Sequence, residues 1–228
     1  MSVKTYRKEN IEALSNVILR DEYDDEAQRD VEYDSDVFIE FVRRNIVGPD
    51  VLEIGPGCGM GFEYYPITHA VEPSPFRCDK AKERVKLTSV EVKQGFAEAI
   101  PYENDMFNSV LFIRGFFQVR SDYETIIEIN RVLKIGGCFI FDLTRDAEDF
   151  VCGRAYGPGS YVRILNDFGF SVVEVRDISE TRVGICVRKR RNFDYRYLNK
   201  IQLVKIKDVS VDGYIIKNFL PERDALLL

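Results

Sequence analysis

The sequence predicts one α/β domain in which helices cover both faces of a mostly parallel β-sheet. Three observations support this prediction. The chain has 228 residues, which is enough for one domain of this class and short for two. From residue 50, short apolar runs alternate with stretches of helical periodicity, as expected for parallel strands joined by helices. A turn with glycine at every second position follows the first apolar run, and there the backbone can approach a ligand closely.

Seven apolar runs are the candidate strands. They read, in chain order, VLEIG, HAVEP, VEVKQ, SVLFI, GGCFIFDL, SVVEV and VGICVRK. The stretches between them, such as PFRCDKAKERVK and YETIIEINRVLK, have the apolar spacing of helices. In a sheet of this kind, ligands bind outside the carboxyl ends of the strands, at the point where the strand order reverses.

Residues 1–48 precede this alternation and are predicted to be helical. Two sets of apolar residues recur at helix spacing, and Ser35 or Asp36 is the expected N-cap of the second helix. The first set is Ile11, Leu14, Val17 and Ile18, and the second is Val37, Ile39, Phe41, Val42 and Ile46. We interpret the acidic stretch between the helices as a solvated connector. The alternative is a flexible lid over a ligand, with Tyr23 or Tyr33 turned inward.

Residues 191–228 also fall outside the alternation and are predicted to add one or two strands around a turn at Asp212-Gly213. The run Arg188–Arg191, which includes Lys189, precedes them. We interpret this basic run as a solvated strand end. The alternative is a phosphate-contacting patch that Tyr195, Arg196 and Tyr197 complete. The predicted organisation is one structural domain, with N-terminal helices over 1–48, a ligand-binding core over 49–190 and a C-terminal extension over 191–228.

Composition narrows the classes of function. The net charge of −6 and the pI near 5.1 disfavour broad nucleic-acid binding. The five cysteines are scattered without a CxxC pair, so they show neither zinc-ligand nor disulfide-framework spacing. Neither a signal-peptide core nor a run of about 18 apolar residues is present, so we expect a cytoplasmic protein with no membrane segment.

The most informative stretch is VLEIGPGCGMG, residues 51–61. Glycines at 55, 57 and 59 permit positive φ and leave no Cβ between the backbone and a ligand. The dinucleotide fingerprint needs its third glycine three residues after the second. Met60 and Phe62 occupy that position in the two available registers, so the sequence argues against nicotinamide dinucleotide binding.

Two acids flank this turn. Glu53 stands two residues before the first glycine, where its carboxylate could hold an ammonium group or orient the glycine loop. Glu72 ends the second apolar run, 17 positions after Gly55. An acid at that place in nucleoside-binding α/β folds accepts hydrogen bonds from ribose hydroxyls.

Five stretches resemble the motifs of class I S-adenosylmethionine-dependent methyltransferases, in the Rossmann-like group of methyltransferase type 11. EIGPGCGMG resembles the family's first motif, E/DxGxGxG. GFAEAIPY resembles GDAExLPF, FNSVL resembles FDVV, EINRVLKIGG resembles EIxRVLKPGG, and FGF before SVVEV resembles the late GF-strand element. The resemblance runs from about residue 34 to residue 190. It implies a Rossmann-like three-layer sandwich with a seven-stranded sheet whose last strand is antiparallel. It also implies S-adenosylmethionine as cofactor, S-adenosylhomocysteine as product, and no metal.

The resemblance assigns roles to particular residues of the chain. Gly55, Gly57 and Gly59 should line the methionine moiety, Ala97 and Glu98 should lie near the adenine, and Ile113 and Arg114 should border the sulfonium. The expected cofactor-binding set is Glu53, Gly55, Pro56, Gly57, Gly59, Glu72, Pro73, Phe96, Ala97, Glu98, Ile113 and Arg114. Phe96 departs from the family, which usually has an aspartate there for the adenine amine. We expect that contact to be lost or to move to Glu98 or to a backbone group.

Methyl transfer needs a dedicated base only when the acceptor must lose a proton. The single histidine, His69, is expected to be structural. The candidates for catalysis are Arg114, Phe117 and Gln118, and Phe116 is expected either to pack or to stack on an acceptor. Asp142, Thr144 and Arg145 are further candidates only because they lie at the end of the fifth predicted strand. The motifs of amino-methylating nucleic-acid enzymes and of covalent pyrimidine methylation, and the acid of metal-dependent catechol-type enzymes, are absent from this region.

The sequence therefore predicts a methyltransferase that acts on an unidentified acceptor, more plausibly a small molecule than a nucleic acid. The alternative is a protein that binds S-adenosylmethionine without catalysis and acts through a partner. The C-terminal extension leaves a dimer open as a further expectation.

Overall fold

The computed structural model describes residues 36–85, 89–116, 119, 121–144, 158–194, 203–211 and 214–221. Several sequence predictions lie outside the described residues. They concern the first helix, the acidic stretch and the turn at Asp212-Gly213, together with Phe117, Gln118, Arg145, Tyr195, Arg196 and Tyr197.

The described elements follow the predicted alternation closely. The helices are α1 (Asp36–Asn45), α2 (Pro75–Arg84), α3 (Asp122–Val132) and α4 (Pro158–Asp167), and a 3₁₀ helix spans Met60–Glu63. The strands are β1 (Val51–Ile54), β2 (His69–Glu72), β3 (Glu91–Gln94), β4 (Phe107–Phe112), β5 (Leu133–Thr144), β6 (Phe170–Asp177), β7 (Arg182–Lys189), β8 (Leu203–Val211) and β9 (Tyr214–Pro221). All seven apolar runs that the sequence singled out form strands of one sheet.

The seven-stranded sheet has the order β3-β2-β1-β4-β5-β7-β6. Strands β1 to β5 pair in parallel, whereas β7 is antiparallel to both of its neighbours. This confirms the predicted mostly parallel sheet whose last strand is antiparallel. The chain turns from β1 towards β2 and β3 and then returns to β4 on the other side of β1. The strand order therefore reverses between β1 and β4.

Two apolar clusters form the core, one on each face of the sheet. The first includes residues of α3 and α4, such as Ile126 and Ile164, and the second includes Phe41 of α1 and Ala81 of α2. Neighbouring residues of one strand alternate between the clusters, as in β7, where Ile185 belongs to the first and Cys186 to the second. The predicted three layers are thus present.

The phase of α1 differs from the prediction. Its buried residues are Phe38, Phe41, Val42 and Asn45, whereas Val37 is 41% exposed. The prediction had assigned Val37 to the apolar face and omitted Phe38. The helix turns this face inward because Phe38 and Phe41 then both join the apolar cluster that includes residues of β5 and β7. The Asn45 amide on the same face donates to the Phe41 carbonyl at 2.9 Å.

The junction of α3 and β5 also differs. Phe107 of β4 pairs with Leu133, but the next described pair joins Ser109 to Cys138, so residues 134–137 bulge opposite Asn108. The candidate strand GGCFIFDL begins at Gly136, whereas the observed strand begins at Leu133 and contains the bulge. Gly136 supplies a left-handed residue (φ 87°), and a Cβ at Gly137 would lie 2.8 Å from the carbonyl oxygen of Asn108.

The C-terminal extension contributes two strands. β8 and β9 pair antiparallel in a separate two-stranded sheet. The basic run before them is not a continuous surface patch, because Lys189 is fully buried and its amine pairs with Asp105 at 2.9 Å. This contradicts the interpretation of the whole run as solvated. No helix among the described residues is long and apolar enough to cross a membrane.

Candidate cofactor site

The reversal of strand order between β1 and β4 opens a crevice at the carboxyl edge of the sheet. The glycine turn, residues 55–61, follows β1, and residues 113–116 follow β4. The connections after β1 and β4 leave the sheet on opposite sides, so these two segments form the walls of the crevice.

The glycine turn has an unusual backbone that glycine alone adopts without strain. Gly55, Gly57 and Gly59 have φ values of 65°, 56° and 80°. The space beside Gly57 is open, because a Cβ built there would meet no protein atom within 4 Å. A ligand could therefore contact the Gly57 backbone with no side chain between them.

Glu72 joins the end of β2 to this turn. Its side chain is almost fully buried, and Oε2 accepts a hydrogen bond from the Gly57 backbone N–H at 3.0 Å. Oε1 accepts one from the N–H of Ser74, the N-cap of α2, also at 3.0 Å. Because each carboxylate oxygen can accept more than one hydrogen bond, these bonds are compatible with hydroxyl donors from a ligand.

Glu53 lies against the far end of the glycine turn. The residue is 5% exposed, and a Cβ at Gly61 would lie 2.6 Å from Oε1 and 2.8 Å from Oε2 of the Glu53 carboxylate. A side chain at Gly61 would therefore displace the carboxylate. Glu53 contacts the glycine loop, which is one of the two arrangements that the sequence left open.

A tight turn at residues 96–99 lies next to the end of β2. The N–H of Gly95 donates to the Glu72 carbonyl at 3.1 Å, and the N–H of Ala99 donates to the Phe96 carbonyl at 3.0 Å. Ala97 and Glu98 are buried within this turn, and Phe96 is half-buried. The segment that the sequence assigned to the adenine therefore borders the same end of β2 as the glycine turn.

Two residues of α3 hold the chain just after this turn. Glu128 Oε2 accepts a hydrogen bond from the Ile100 N–H at 3.0 Å, and the Arg131 guanidinium donates to the carbonyls of Ile100 and Tyr102 at 2.9 and 2.8 Å. Glu128 and Arg131 also pair with each other at 2.8 Å, and both side chains are largely buried. Both belong to the quoted motif EINRVLKIGG, but the motif gave no signal that they clamp residues 100–102.

The segment after β4 carries a strained residue. Ile113 and Arg114 are half-buried, and Arg114 has a φ of 55° although it is not glycine. Phe116 is fully buried and packs against Phe112 and Phe141 in the first core cluster. Of the two roles expected for Phe116, the structure shows packing, so this ring is not a stacking platform in the crevice.

Asp142 is occupied by protein contacts. It is fully buried in β5, and Oδ1 accepts a hydrogen bond from the Arg114 backbone N–H at 2.7 Å. The Arg182 guanidinium of β7 pairs with Oδ2, with its Nε at 2.6 Å. Position alone had suggested Asp142 as an acceptor-side residue, and the structure instead makes it a link between β4, β5 and β7. The sequence analysis did not single out Arg182. It reaches this edge only because β7 runs antiparallel to β5, and the local sequence gives no sign of that direction.

His69 lies at the opposite edge of the sheet, as the first residue of β2. Its Nδ1 is 2.8 Å from the hydroxyl of Thr68, and its ring packs edge-on against Tyr102 and Phe107. Burial lowers the pKa of His69 below its usual value. These contacts place His69 in the packing of the sheet, away from the crevice.

Residues 52–141 match the family model described as a methyltransferase domain. The match includes the glycine turn, the turn at 96–99, the end of β4 and the motif of α3. Over this segment the chain is similar to the methyltransferase domains that the model describes. A search of curated protein sequences gives no match for this chain.

Solved structures agree with the fold of this chain. A SAM-dependent methyltransferase from Aquifex aeolicus has a TM-score of 0.57 at 20% identity, over 67% of this chain and 88% of that chain. A chain of the complex that contains the Haloferax volcanii Trm112 methyltransferase activator has a TM-score of 0.62 at 16% identity, over 78% and 98%. The [4+2]-cyclase SpnF has a TM-score of 0.59 at 14% identity, over 67% and 78%.

S-adenosylmethionine is the cofactor that the match to a methyltransferase domain implies, and the crevice of this chain suits it chemically. The open space beside Gly57 accepts a close backbone contact, and the Glu72 carboxylate offers acceptors for hydroxyl groups. Within the part of the chain that the structure describes, no three His, Cys, Asp or Glu side chains converge as metal ligands would.

Proposed function

We propose that this protein transfers a methyl group from S-adenosylmethionine to a small-molecule acceptor. The observation that carries the proposal is the glycine turn, in which Gly57 lies beside open space and donates its N–H to the buried carboxylate of Glu72. A turn with open space beside one glycine and a buried carboxylate next to it fits a ligand that combines an amino-acid portion with a ribose.

In this proposal the turn binds the methionine portion of the cofactor through Gly55, Gly57 and Gly59, with Pro56 buried beneath them. Glu53 orients the loop from the side of Gly61. Glu72 accepts hydrogen bonds from the ribose hydroxyls, and Pro73 begins the turn that leads into α2.

The adenine is proposed to lie against residues 96–98, beside the end of β2. Phe96 is half-buried and can contact a purine ring by its apolar surface but cannot accept a hydrogen bond from the amine. Ala97 and Glu98 are buried in the same turn, and backbone groups of the turn are the proposed polar partners of the purine.

When bound, S-adenosylmethionine supplies a methyl group on a positively charged sulfur that is a good leaving group. The protein's main task is then to hold the acceptor atom in line with that methyl group and to exclude water. Ile113 and Arg114 are proposed to border the sulfonium, with Arg114 as the described candidate for contact with the acceptor. Phe117 and Gln118 remain candidates from sequence. Histidine base catalysis is not part of the proposal, because the single histidine lies at the opposite edge of the sheet.

A small molecule is the favoured acceptor because the net charge of −6 opposes a polyanion and the basic run 188–191 is interrupted by the buried Lys189. A catalytically silent, cofactor-binding protein is the second candidate. The likeness to a chain of the complex that contains the Trm112 methyltransferase activator leaves room for a partner of this kind.

One experiment separates the two candidates. The purified protein is incubated with S-adenosylmethionine labelled in the methyl group, together with cell extract divided into small-molecule, protein and nucleic-acid fractions. Transfer of label to the small-molecule fraction supports the proposal, and transfer only to protein or nucleic acid contradicts its acceptor class. Calorimetric binding of S-adenosylmethionine with no transfer in any fraction supports the silent candidate.

A further inference from the structure

Arg114 adopts a backbone conformation that its side chain disfavours. The described residues include two non-glycine residues at positive φ, Asp105 at 50° and Arg114 at 55°. Aspartate tolerates this region because its short side chain can bond to the local backbone, whereas arginine has no such compensation. A strained residue persists only where its surroundings hold it in place, and such residues cluster at functional sites.

Two contacts link the backbone of Arg114 to Arg182 of β7 through Asp142. The Arg114 backbone N–H donates to Asp142 Oδ1 at 2.7 Å, and the other carboxylate oxygen of Asp142 is bound by the Arg182 guanidinium. Asp142 is fully buried, and the Arg182 side chain is 23% exposed. The Arg182 guanidinium is the counter-charge of this buried carboxylate.

Topology explains why these three residues meet. β7 is antiparallel, so its first residue, Arg182, pairs in register with Thr144 at the carboxyl end of β5. Asp142 lies two residues earlier on β5, and Arg114 lies two residues beyond the end of the neighbouring β4. The network therefore runs from the outer half of the sheet to the wall of the crevice.

We propose that Arg182 and Asp142 are positioning residues that fix the left-handed backbone of Arg114 and so shape the crevice where the sulfonium end of the cofactor binds. This inference rests on the proposed binding mode. In this proposal Arg182 of β7 affects cofactor binding indirectly, because it holds Asp142 and Asp142 in turn holds the backbone of Arg114.

Substitution of Arg182 tests the proposal against a matched control on the same strand. Lys189 is also a β7 cation with a carboxylate partner, Asp105, which itself has positive φ, but it lies at the amino edge of the sheet. Arg182→Met and Lys189→Met each remove one such ion pair. Arg182→Lys restores the charge and serves as the conservative variant.

The measurements are calorimetric affinities for S-adenosylhomocysteine and for adenosine, at a temperature where each variant is fully folded by circular dichroism. Arg182→Met should weaken S-adenosylhomocysteine binding by about tenfold, the affinity equivalent of one strained left-handed residue. Adenosine, which lacks the amino-acid portion, should lose less than about twofold. Lys189→Met should change neither affinity, and Arg182→Lys should recover most of the loss.

A second comparison tests the role of the backbone strain. Glycine adopts a φ of 55° without cost, so Arg114→Gly should lessen the dependence of the backbone on Asp142. The loss caused by Arg182→Met should then be smaller in the Arg114→Gly background than in the wild type. Equal losses in the two backgrounds would overturn the proposal, because they would mean that Arg182 does not act through Arg114.

The possible results keep this proposal apart from the proposed function. A wild-type protein that binds neither S-adenosylmethionine nor S-adenosylhomocysteine contradicts the proposed function itself. A wild type that binds, with equal affinities in Arg182→Met and Lys189→Met, contradicts the positioning role alone. Equal loss of adenosine and S-adenosylhomocysteine binding also contradicts it, because general damage to the fold would have that effect.

Discussion

The carboxylate of Glu72 accepts a hydrogen bond from the backbone N–H of Gly57 at 3.0 Å. This bond connects the end of β2 to the glycine turn after β1, which are 15 residues apart in the chain. The acid therefore has two tasks in the proposed site, since it fixes the turn and presents acceptor oxygens to the ribose.

Substitution of Glu72 should weaken cofactor binding. We expect Glu72→Ala to cost about 1–3 kcal/mol of binding free energy for S-adenosylmethionine, as is typical when charge-assisted hydrogen bonds are lost. Glu72→Gln keeps one acceptor oxygen and should lose less. Calorimetry measures the affinities, with Glu63→Gln as the control because Glu63 is exposed and pairs with Arg84 on the surface. Unchanged affinity in Glu72→Ala would contradict the assigned ribose contact.

A single methyl group on Gly57 should block the cofactor without unfolding the protein. A Cβ there meets no protein atom within 4 Å, so the internal cost is the strain of a left-handed alanine, about 1–2 kcal/mol. Gly136 offers a matched control, because it also has positive φ and an open Cβ position but lies in the bulge of β5. Gly57→Ala and Gly136→Ala should lower stability equally in urea unfolding, and only Gly57→Ala should lose S-adenosylmethionine binding. Normal binding by Gly57→Ala would remove the central argument for the site.

Removal of the Glu128 charge should destabilise the fold. Glu128→Gln leaves the half-buried Arg131 guanidinium without its counter-charge, so we expect a loss of about 1–3 kcal/mol in the free energy of unfolding. Glu83→Gln is the control, because the Lys80–Glu83 pair has the same i,i+3 spacing and is exposed. That control should leave the urea midpoint nearly unchanged. Similar midpoints for the two variants would mean that the clamp on residues 100–102 contributes little.

The pH dependence of stability should reveal His69. Burial lowers the pKa of His69, so the unfolded chain binds a proton at a higher pH than the folded protein does. Stability should therefore be complete above about pH 6.5 and should fall as pH decreases through the interval just below it. His69→Gln should abolish this fall in urea unfolding between about pH 5 and 7, because the chain has no other histidine. A variant with the same slope as the wild type would show that another group titrates there.

The sequence by itself determined which segments form the strands of the sheet and where the glycine turn lies. These features depend on local signals. Apolar runs such as VLEIG form buried strands. Glycines at 55, 57 and 59 allow positive φ values that other residues rarely adopt. An acid at the carboxyl end of a parallel strand lies at the edge of the sheet where ligands bind. These features can be predicted from the sequence because the residues that cause them are close together in the chain.

Tertiary structure alone decided the partners of the charged residues and the phase of α1. Arg182 and Asp142 are 40 residues apart, and Lys189 and Asp105 are 84 residues apart, so only the reversed direction of β7 brings each pair together. Packing against β5 and β7 selected Phe38 over Val37 as the buried residue of α1. Phe116 turned into the core because Phe112 and Phe141 surround it. Each of these outcomes depends on contacts between distant parts of the chain, where the free energy of burial and charge pairing outweighs any local preference.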